Sequence, residues 1–414
     1  MSHLLADTAN PIRTAAEAGA YIASVCFKHG PPRRIGIELE WLLTDPDDPL
    51  RHPDPLLLRT ALGPHAPRTL NPDSPAEPLP GGGLVTVEPG GQVEISSAPA
   101  PSCAMLIGAM RRDIDCLEQL LGPIGFRLSG RAADTHRAGR RILHTPRYDA
   151  MAAGFARISP AGAVMMCATA ATQICVDLGT AEQAPVRWRA AHLLGPVLLA
   201  AFANSPAASG VSARMAAWWA LDPPRTEPPG SLELADYVRR ALDTPMLAKP
   251  RAAGDWLLRQ PVSLRDRLSA GEPLDTKDID LHLSMLFPPV RPQGYLELRY
   301  LDAQPAEEWL APLALIAALF GRPALLAEAA EACLPAADRW RQATEVGLAD
   351  PVLAGAAREL ADIGDRAVAE LRLARADLEQ VRRILRRRLW DGISPAAESA
   401  DPGAQDSGRQ EESA

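Results

Sequence analysis

Within the apolar run GIELEWLL (residues 36–43), Glu38 and Glu40 stand two apart. Residues two apart on a strand share a face, so these carboxylates point one way while Ile37, Leu39 and Trp41 point the other. The arrangement recurs. Glu88 and Glu94 flank PGGQV in TVEPGGQVEIS, and in YLELRYLD Glu297 and Arg299 share a face opposite Leu296, Leu298 and Tyr300. A solvated face of an antiparallel sheet accounts for any one of these segments. Together, however, their polar positions are nearly all glutamate, with few of the lysines and threonines that a solvated face mixes in. Five such carboxylates repel one another and need cations. Hard divalent ions with oxygen ligands meet that need, and Mg²⁺ shares its coordination between carboxylates and a substrate's phosphates. Arg299 beside Glu297 then suits a phosphate oxygen or a transferring phosphoryl group. The chain has neither a GxxxxGK[ST] loop nor a GxGxxG after a strand, so a nucleotide here would be held by metals and arginines.

Positioning these acids falls to a mixed set of elements. Residues 13–29 read as a helix leading into the strand IGIELEWLL, and residues 45–80 as a Pro- and Asp-rich excursion with a short helix. Residues 81–99 read as a hairpin with turn chemistry at PGG. Residues 102–125 read as an amphipathic helix ending at a glycine. FRLSGRA and AVMMCATAATQICVDLG are strand candidates, helices follow through APVRWRAAHLLGPVLLAAFANS and SLELADYVRRALDTPM, and residues 294–305 form a last strong strand. Helices are then expected over 306–321, 324–333, 336–346 and 352–389. Strands joined by hairpins and long excursions, without regular alternation with helices, predict an α+β fold with an antiparallel sheet. Residues 1–394 read as one domain; residues 395–414, which lack aliphatic and aromatic side chains beyond alanine, read as a disordered tail.

Composition narrows the function classes. The chain has 414 residues, 47% of them hydrophobic, and a net charge of −8 with the signs interspersed. That allows a sizeable core and leaves no broad basic face for nucleic acid. The six cysteines (26, 103, 116, 167, 175 and 333) form no CxxC pair, which fits reduced thiols in a cytoplasm; Cys167 and Cys175 read as small buried hydrophobes. No basic start followed by an apolar core opens the chain, and LLGPVLLAAFA is too short to span a membrane. A soluble, cytoplasmic protein is expected, with no membrane partner.

In order and spacing, the segments GIELEW, VTVEPGGQVEISSAP, PRYDAM, GAVMMCATAATQICVDLG, RWRAAHLLGPVLLAAFANSP, YVRRALDTPM and HLSMLFPPVRPQGYLELRYLD resemble glutamate–cysteine ligases. The likeness runs from about residue 34 to 305 and is to the plant and proteobacterial branch with its actinobacterial relatives serving ergothioneine synthesis. It implies a glutamine-synthetase-like catalytic fold, a curved antiparallel sheet forming a funnel flanked by helices, with a helical C-terminal part. It implies that ATP, L-glutamate and L-cysteine give γ-glutamylcysteine, ADP and phosphate through a γ-glutamyl phosphate. The resemblance puts two or three Mg²⁺ ions on Glu38, Glu40, Glu88, Glu94 and Glu297, with Glu297 and Arg299 central to catalysis. Gln173 would face nucleotide and metals, and Arg299 and Arg225 would contact phosphate. Arg214, Tyr148 and His282 would serve the amino-acid substrates. Set against these roles are plainer ones: solvated loop arginines for Arg214 and Arg225, a buried tyrosine with a backbone partner, a core histidine with one hydrogen bond. The chain departs from the plant-like pattern at Cys175, where an asparagine is usual, and before PPRT. A monomer or homodimer is expected. Three readings stay open beside this one: another amine acceptor, supply of γ-glutamylcysteine to glutathione, and a non-catalytic sensor, whose sign would be loss of acids that are all present here.

Overall fold

The acid-bearing segments are strands. In a computed structural model that describes residues 11–252 and 254–400, the strands are β1 (Ile35–Trp41), β2 (Leu43–Thr44), β3 (Leu84–Val87), β4 (Val93–Ser96), β5 (Arg127–Leu128), β6 (Ala171–Asp177), β7 (Val290–Pro292) and β8 (Tyr295–Asp302). Six of them form one sheet in the order β3-β4-β1-β6-β8-β7, every pair antiparallel, while β2 pairs with β5 apart from it. The register sets Glu40 opposite Glu94, Glu38 opposite Gln173, Cys175 opposite Glu297 and Arg291 opposite Glu297. All four strands that carry the acids or Gln173 therefore show them on the same side of the sheet.

The other side is apolar. Ile37, Leu39, Val93, Ile95, Ile174, Val176, Leu296 and Leu298 are buried there, beneath the helices Cys103–Leu121, Ala184–Leu193, Gly195–Ala201 and Leu310–Phe320. Burial of each such side chain contributes about 1.5–3 kcal/mol, so the apolar half of the alternation is what holds the acidic half in place. The expected α+β class, antiparallel sheet and helical C-terminal part are what the chain adopts.

One irregularity shapes the acidic face. Between the pairs Ile174–Leu298 and Thr172–Leu301 the register shifts, so that Arg299 and Tyr300 together stand opposite Gln173. This β-bulge adds one residue to β8. Asp302 consequently pairs with Ala171 on the acidic side, where strict alternation from Glu297 would have sent it to the core.

Several elements differ from expectation. AVMMCATAATQICVDLG is not one strand: Ala161–Cys167 is a helix, and the strand begins at Ala171. A short apolar run suits either state, and sequence periodicity does not choose between them. The helix expected over 352–389 is two, Pro351–Val368 and Arg375–Leu385, followed by a π-helical turn Arg386–Trp390; the break lets both helices pack on Leu310–Phe320. Within the expected tail, Pro395–Ala400 is helical, because the Ala396 amide donates to the Ala203 carbonyl at 2.9 Å and Glu398 pairs with Arg388. Residues 401–414 lie outside the described residues. No single described helix is long and apolar enough to cross a membrane.

Candidate active site

The acidic face of the sheet closes over a cavity of about 170 Å³. Glu38, Glu40, Glu88, Glu94 and Gln173 form its floor, Arg291 and Arg299 one wall. Met151, Met165, Met166, Trp218 and Phe287, with Tyr148, enclose the rest. The helix Ala161–Cys167, expected as strand, thus supplies two methionines to the apolar wall. A second cleft, of about 420 Å³, meets this cavity at Arg147 and Arg291, and is bordered by Cys26, Tyr237, Asp280 and Ser284.

The hairpin β3–β4 places Glu88 and Glu94. Its tip runs so close to the end of the helix Ala161–Cys167 that a Cβ on Gly90 would lie 2.3 Å from the Cys167 carbonyl oxygen. Gly91 turns the chain at φ +91°, a conformation that favours glycine. Glu94 is held by three neutral side chains: its carboxylate accepts from Thr86 Oγ1 at 2.7 Å, Ser96 Oγ at 3.1 Å and Gln173 Nε2 at 3.2 Å. The same Gln173 amide donates to Glu38 at 3.1 Å, while Glu40 accepts from the Ala171 amide at 3.0 Å. Gln173 Oε1 is buried and has no partner.

Burial, then the charges of Glu94 and Glu297, pushes Glu38 up to about 9. Burial, then Glu88 and Glu94, holds Glu40 well above the usual carboxylate range, and burial with Glu94 brings Glu88 to about 7. Glu94 is also raised, chiefly by burial, against the pull of its hydroxyl donors. Glu297 behaves oppositely. It is fully buried, and burial is the strongest influence on it, yet Arg291 and Arg299 together hold it below the usual range. Arg291 donates from Nε at 2.5 Å and Nη2 at 3.0 Å, and Arg299 from Nη1 at 2.8 Å. Arg299 Nε is buried and without a partner. Cys175, expected as a buried hydrophobe, is half-buried on the acidic face, and burial followed by the neighbouring acids raises its thiol well above its ordinary value.

The donor set fits hard divalent ions. It is all oxygen, and among the described residues Glu38, Glu40, Glu88 and Glu94 have no ion-pair partner, whereas Glu297 has two. An unpartnered amide oxygen, Gln173 Oε1, sits among them. No three acids among the described residues already close round a single point.

The remaining expected residues divide. Tyr148 lines the cavity; Arg214, Arg225 and His282 do not. Arg214 is buried behind Arg299, donating from Nη2 to the Arg299 carbonyl at 2.7 Å and lying 4.9 Å from the Trp218 ring centroid. Arg225 is committed to Asp222 at 2.8 Å and to the carbonyls of Met285 and Pro245. His282 donates from Nε2 to the Ala241 carbonyl, 2.8 Å away, with Arg225 rather than any cavity acid as its charged neighbour. Two cavity arginines escaped sequence reasoning, as did the apolar wall. Arg147 adjoins Tyr148 in PRYDAM, and Arg291 stands between core-facing Val290 and Pro292 in a hairpin whose turn, at Gly294 with φ +79°, brings it opposite Glu297. The alternation VRP just ahead of QGYLELR was the available signal for Arg291.

The sequence matches the model of a family described as Glutamate-cysteine ligase family 2 (GCS2) over residues 34–413. It is 36% identical over 375 residues to glutamate–cysteine ligase EgtA of Mycobacterium tuberculosis, covering 86% of this chain and 84% of the relative. It is 30% identical over 240 residues to the chloroplastic glutamate–cysteine ligase of Arabidopsis thaliana, covering 53% of this chain and 46% of that one. Among solved structures, glutamate–cysteine ligase (gshA) of Francisella tularensis in complex with AMP superposes with a TM-score of 0.51 at 14% identity, over 92% of this chain and 86% of that chain. The fold is the glutamine-synthetase-like one expected.

Proposed function

This chain belongs to glutamate–cysteine ligase family 2, and from that premise we propose that it joins the γ-carboxylate of L-glutamate to the amine of L-cysteine, converting ATP to ADP and phosphate. The observation that carries this reading is the sheet face itself: four carboxylates without cationic partners beside a Glu297 clamped by two arginines.

A carboxylate is a poor acylating agent, so amide formation needs an activated acyl group. On this reading the γ-carboxylate oxygen attacks the γ-phosphorus of ATP and ADP leaves. The cysteine amine then attacks the acyl phosphate, the C–N bond forming as the C–O bond to phosphate breaks. No protein nucleophile is required; alignment and charge neutralisation are, as in phosphoryl transfer generally. Arg299, with an uncommitted Nε–H, and Arg291 face the transferring group. Glu38, Glu40, Glu88 and Glu94, which line the cavity without cationic partners, would hold the Mg²⁺ ions, which neutralise phosphate charge when bound, whereas Glu297, expected among the ligands, is taken up by Arg291 and Arg299 and fixes those two guanidiniums. Gln173 keeps Glu38 and Glu94 in register through its amide hydrogens. Met151, Met165, Met166, Trp218 and Phe287 keep water from the acyl phosphate. Tyr148 and Arg147 border the space left for the amino acids. Substrates of this kind, ATP and reduced cysteine, favour a cytoplasmic setting.

The deciding experiment is ADP release by the purified chain with glutamate fixed and cysteine varied against other amines, the product identified by mass. Dependence on both amino acids with γ-glutamylcysteine formed supports the reading. Coupling to a different amine would make the chain a related carboxylate–amine ligase, and ATP turnover indifferent to glutamate would end the proposal. The likeness to the actinobacterial ligases supports a role for the product in ergothioneine synthesis. Deleting the gene should deplete ergothioneine; depletion of glutathione instead would reassign it.

A further inference from the structure

We propose that Asp302 is a positioning residue for Arg299, acting through Arg214, in the phosphoryl-transfer step; the inference rests on the ligase reading above. The bulge at Arg299–Tyr300 is what makes this contact possible, because it turns Asp302 to the side of the sheet that bears the acids. There the carboxylate is fully buried and fixed from three directions. Its Oδ2 accepts from the Asn204 amide at 2.9 Å and Ser205 Oγ at 2.7 Å, and its Oδ1 from Ser212 Oγ at 3.0 Å. The Arg214 guanidinium lies 3.7 Å from Oδ1, a distance for charge attraction rather than a hydrogen bond.

Arg214 passes that constraint on. Its Nη2 donates to the Arg299 carbonyl at 2.7 Å, while the Arg299 amide donates to the Pro289 carbonyl at 2.8 Å. Both backbone groups of Arg299 are thus tied, and its side chain, which lines the cavity, is held by Glu297 with Nε buried and without a partner. A buried ion pair is a costly way to fill space, and apolar residues of similar volume commonly serve a fold as well or better. What the pair supplies here is a fixed carbonyl, and so a fixed starting point for the guanidinium that meets the phosphoryl group.

The test compares Asp302→Asn with the milder Ser205→Ala, each alone and in an Arg299→Lys background. Melting temperature, kcat, and KM for ATP, glutamate and cysteine are measured for every variant. Asp302→Asn is expected to lower kcat by roughly 10- to 100-fold, the scale of a small misplacement at a reacting centre. Ser205→Ala should lower it several-fold, with each KM changed by less than about twofold. In the Arg299→Lys background neither change should lower kcat further, because both act through the same guanidinium. Wild-type kcat in a folded variant, or losses that add to those of Arg299→Lys, would mean the network serves the fold alone and would overturn the inference. Should Asp302→Asn not fold, Ser205→Ala decides by the same criteria. The wild-type assay stands apart: failure to form γ-glutamylcysteine would defeat the ligase reading, and this inference with it.

Discussion

Single residues carry the electrostatic tension of this site, and Glu94 is the acid whose charge bears on each of Glu38, Glu40 and Glu88. It accepts from three side chains and lies within the field of Glu38, Glu40, Glu88 and Glu297. Glu94→Gln keeps the shape and removes the charge. ADP release is expected to fall at least about 10²-fold, the scale seen when one electrostatic contact to a transition state is lost. The protein without ligands should melt higher, because a repelling buried charge is gone. Mg²⁺ should raise the wild-type melting temperature, reversibly with chelator, and raise that of the variant less; equal Mg²⁺ shifts would count against Glu94 as a ligand. His282 poses the opposite case. Burial, followed by the charge of Arg225, pushes it down to about 4 from an ordinary 6.5. The unfolded chain therefore takes up a proton first as pH falls, so stability contributed by neutral His282 is present above pH 6.5 and lost toward pH 4. The melting-temperature gap between wild type and His282→Gln should narrow from about pH 7.5 to about pH 4.5. A gap of constant size would show that His282 does not titrate as its burial requires.

At the scale of elements, the β3–β4 hairpin is where geometry is tightest. A Cβ on Gly90 would stand 2.3 Å from Cys167 O and 2.5 Å from Cys167 Cα, against backbone that does not rotate away. Gly90→Ala should cost about 1–3 kcal/mol of stability by overpacking and lower kcat as well, since the shifted tip carries Glu88 and Glu94. Gly122 is the control: it is helical at φ −53° with nothing within 4 Å of where a methyl would stand, so Gly122→Ala should be neutral or mildly stabilising. Denaturant unfolding and steady-state rates separate the two. The hairpin and the strands around Glu38 and Glu297 were legible in the sequence because a period of two with glutamate on one phase is a strong, local pattern. The bulge was not, since one extra residue in β8 leaves no composition signal yet reverses the side to which Asp302 points. For the same reason a motif could bring Arg225 and His282 under suspicion without revealing that both turn toward carbonyls of neighbouring segments, Met285 and Ala241. For Arg291 the alternation VRP hinted at a strand, but only the register of the hairpin brings it opposite Glu297.

For the molecule as a whole, the C-terminal helices determine how firmly the back of the sheet is held. Arg388 is fully buried, and its guanidinium pairs with Glu308, just ahead of the Leu310–Phe320 helix, and with Glu398, while Nη1 also donates to the Ile393 carbonyl at 2.7 Å. That clasp ties the last described helix, Pro395–Ala400, to the helix lying on the apolar face of the catalytic sheet. Ending the chain at residue 393 would remove Glu398 and the Ala396–Ala203 contact and leave a buried guanidinium short of a partner. Loss of one member of a buried ion pair costs on the order of 3–5 kcal/mol, of which Glu308 should retain part. Ending it at residue 400 keeps the clasp, and residues 401–414 offer alanine as their sole apolar side chain beyond one proline. Melting temperature is therefore expected to fall by several degrees for the shorter chain and to stay at the wild-type value for the longer one. The distinction between the acidic and apolar sides of the sheet makes a further demand on the shorter chain. With the acid face intact, it should keep its KM for ATP at temperatures where it remains folded, and the loss should be of stability alone. A raised KM at those temperatures would show that the C-terminal clasp reaches through the sheet to the site.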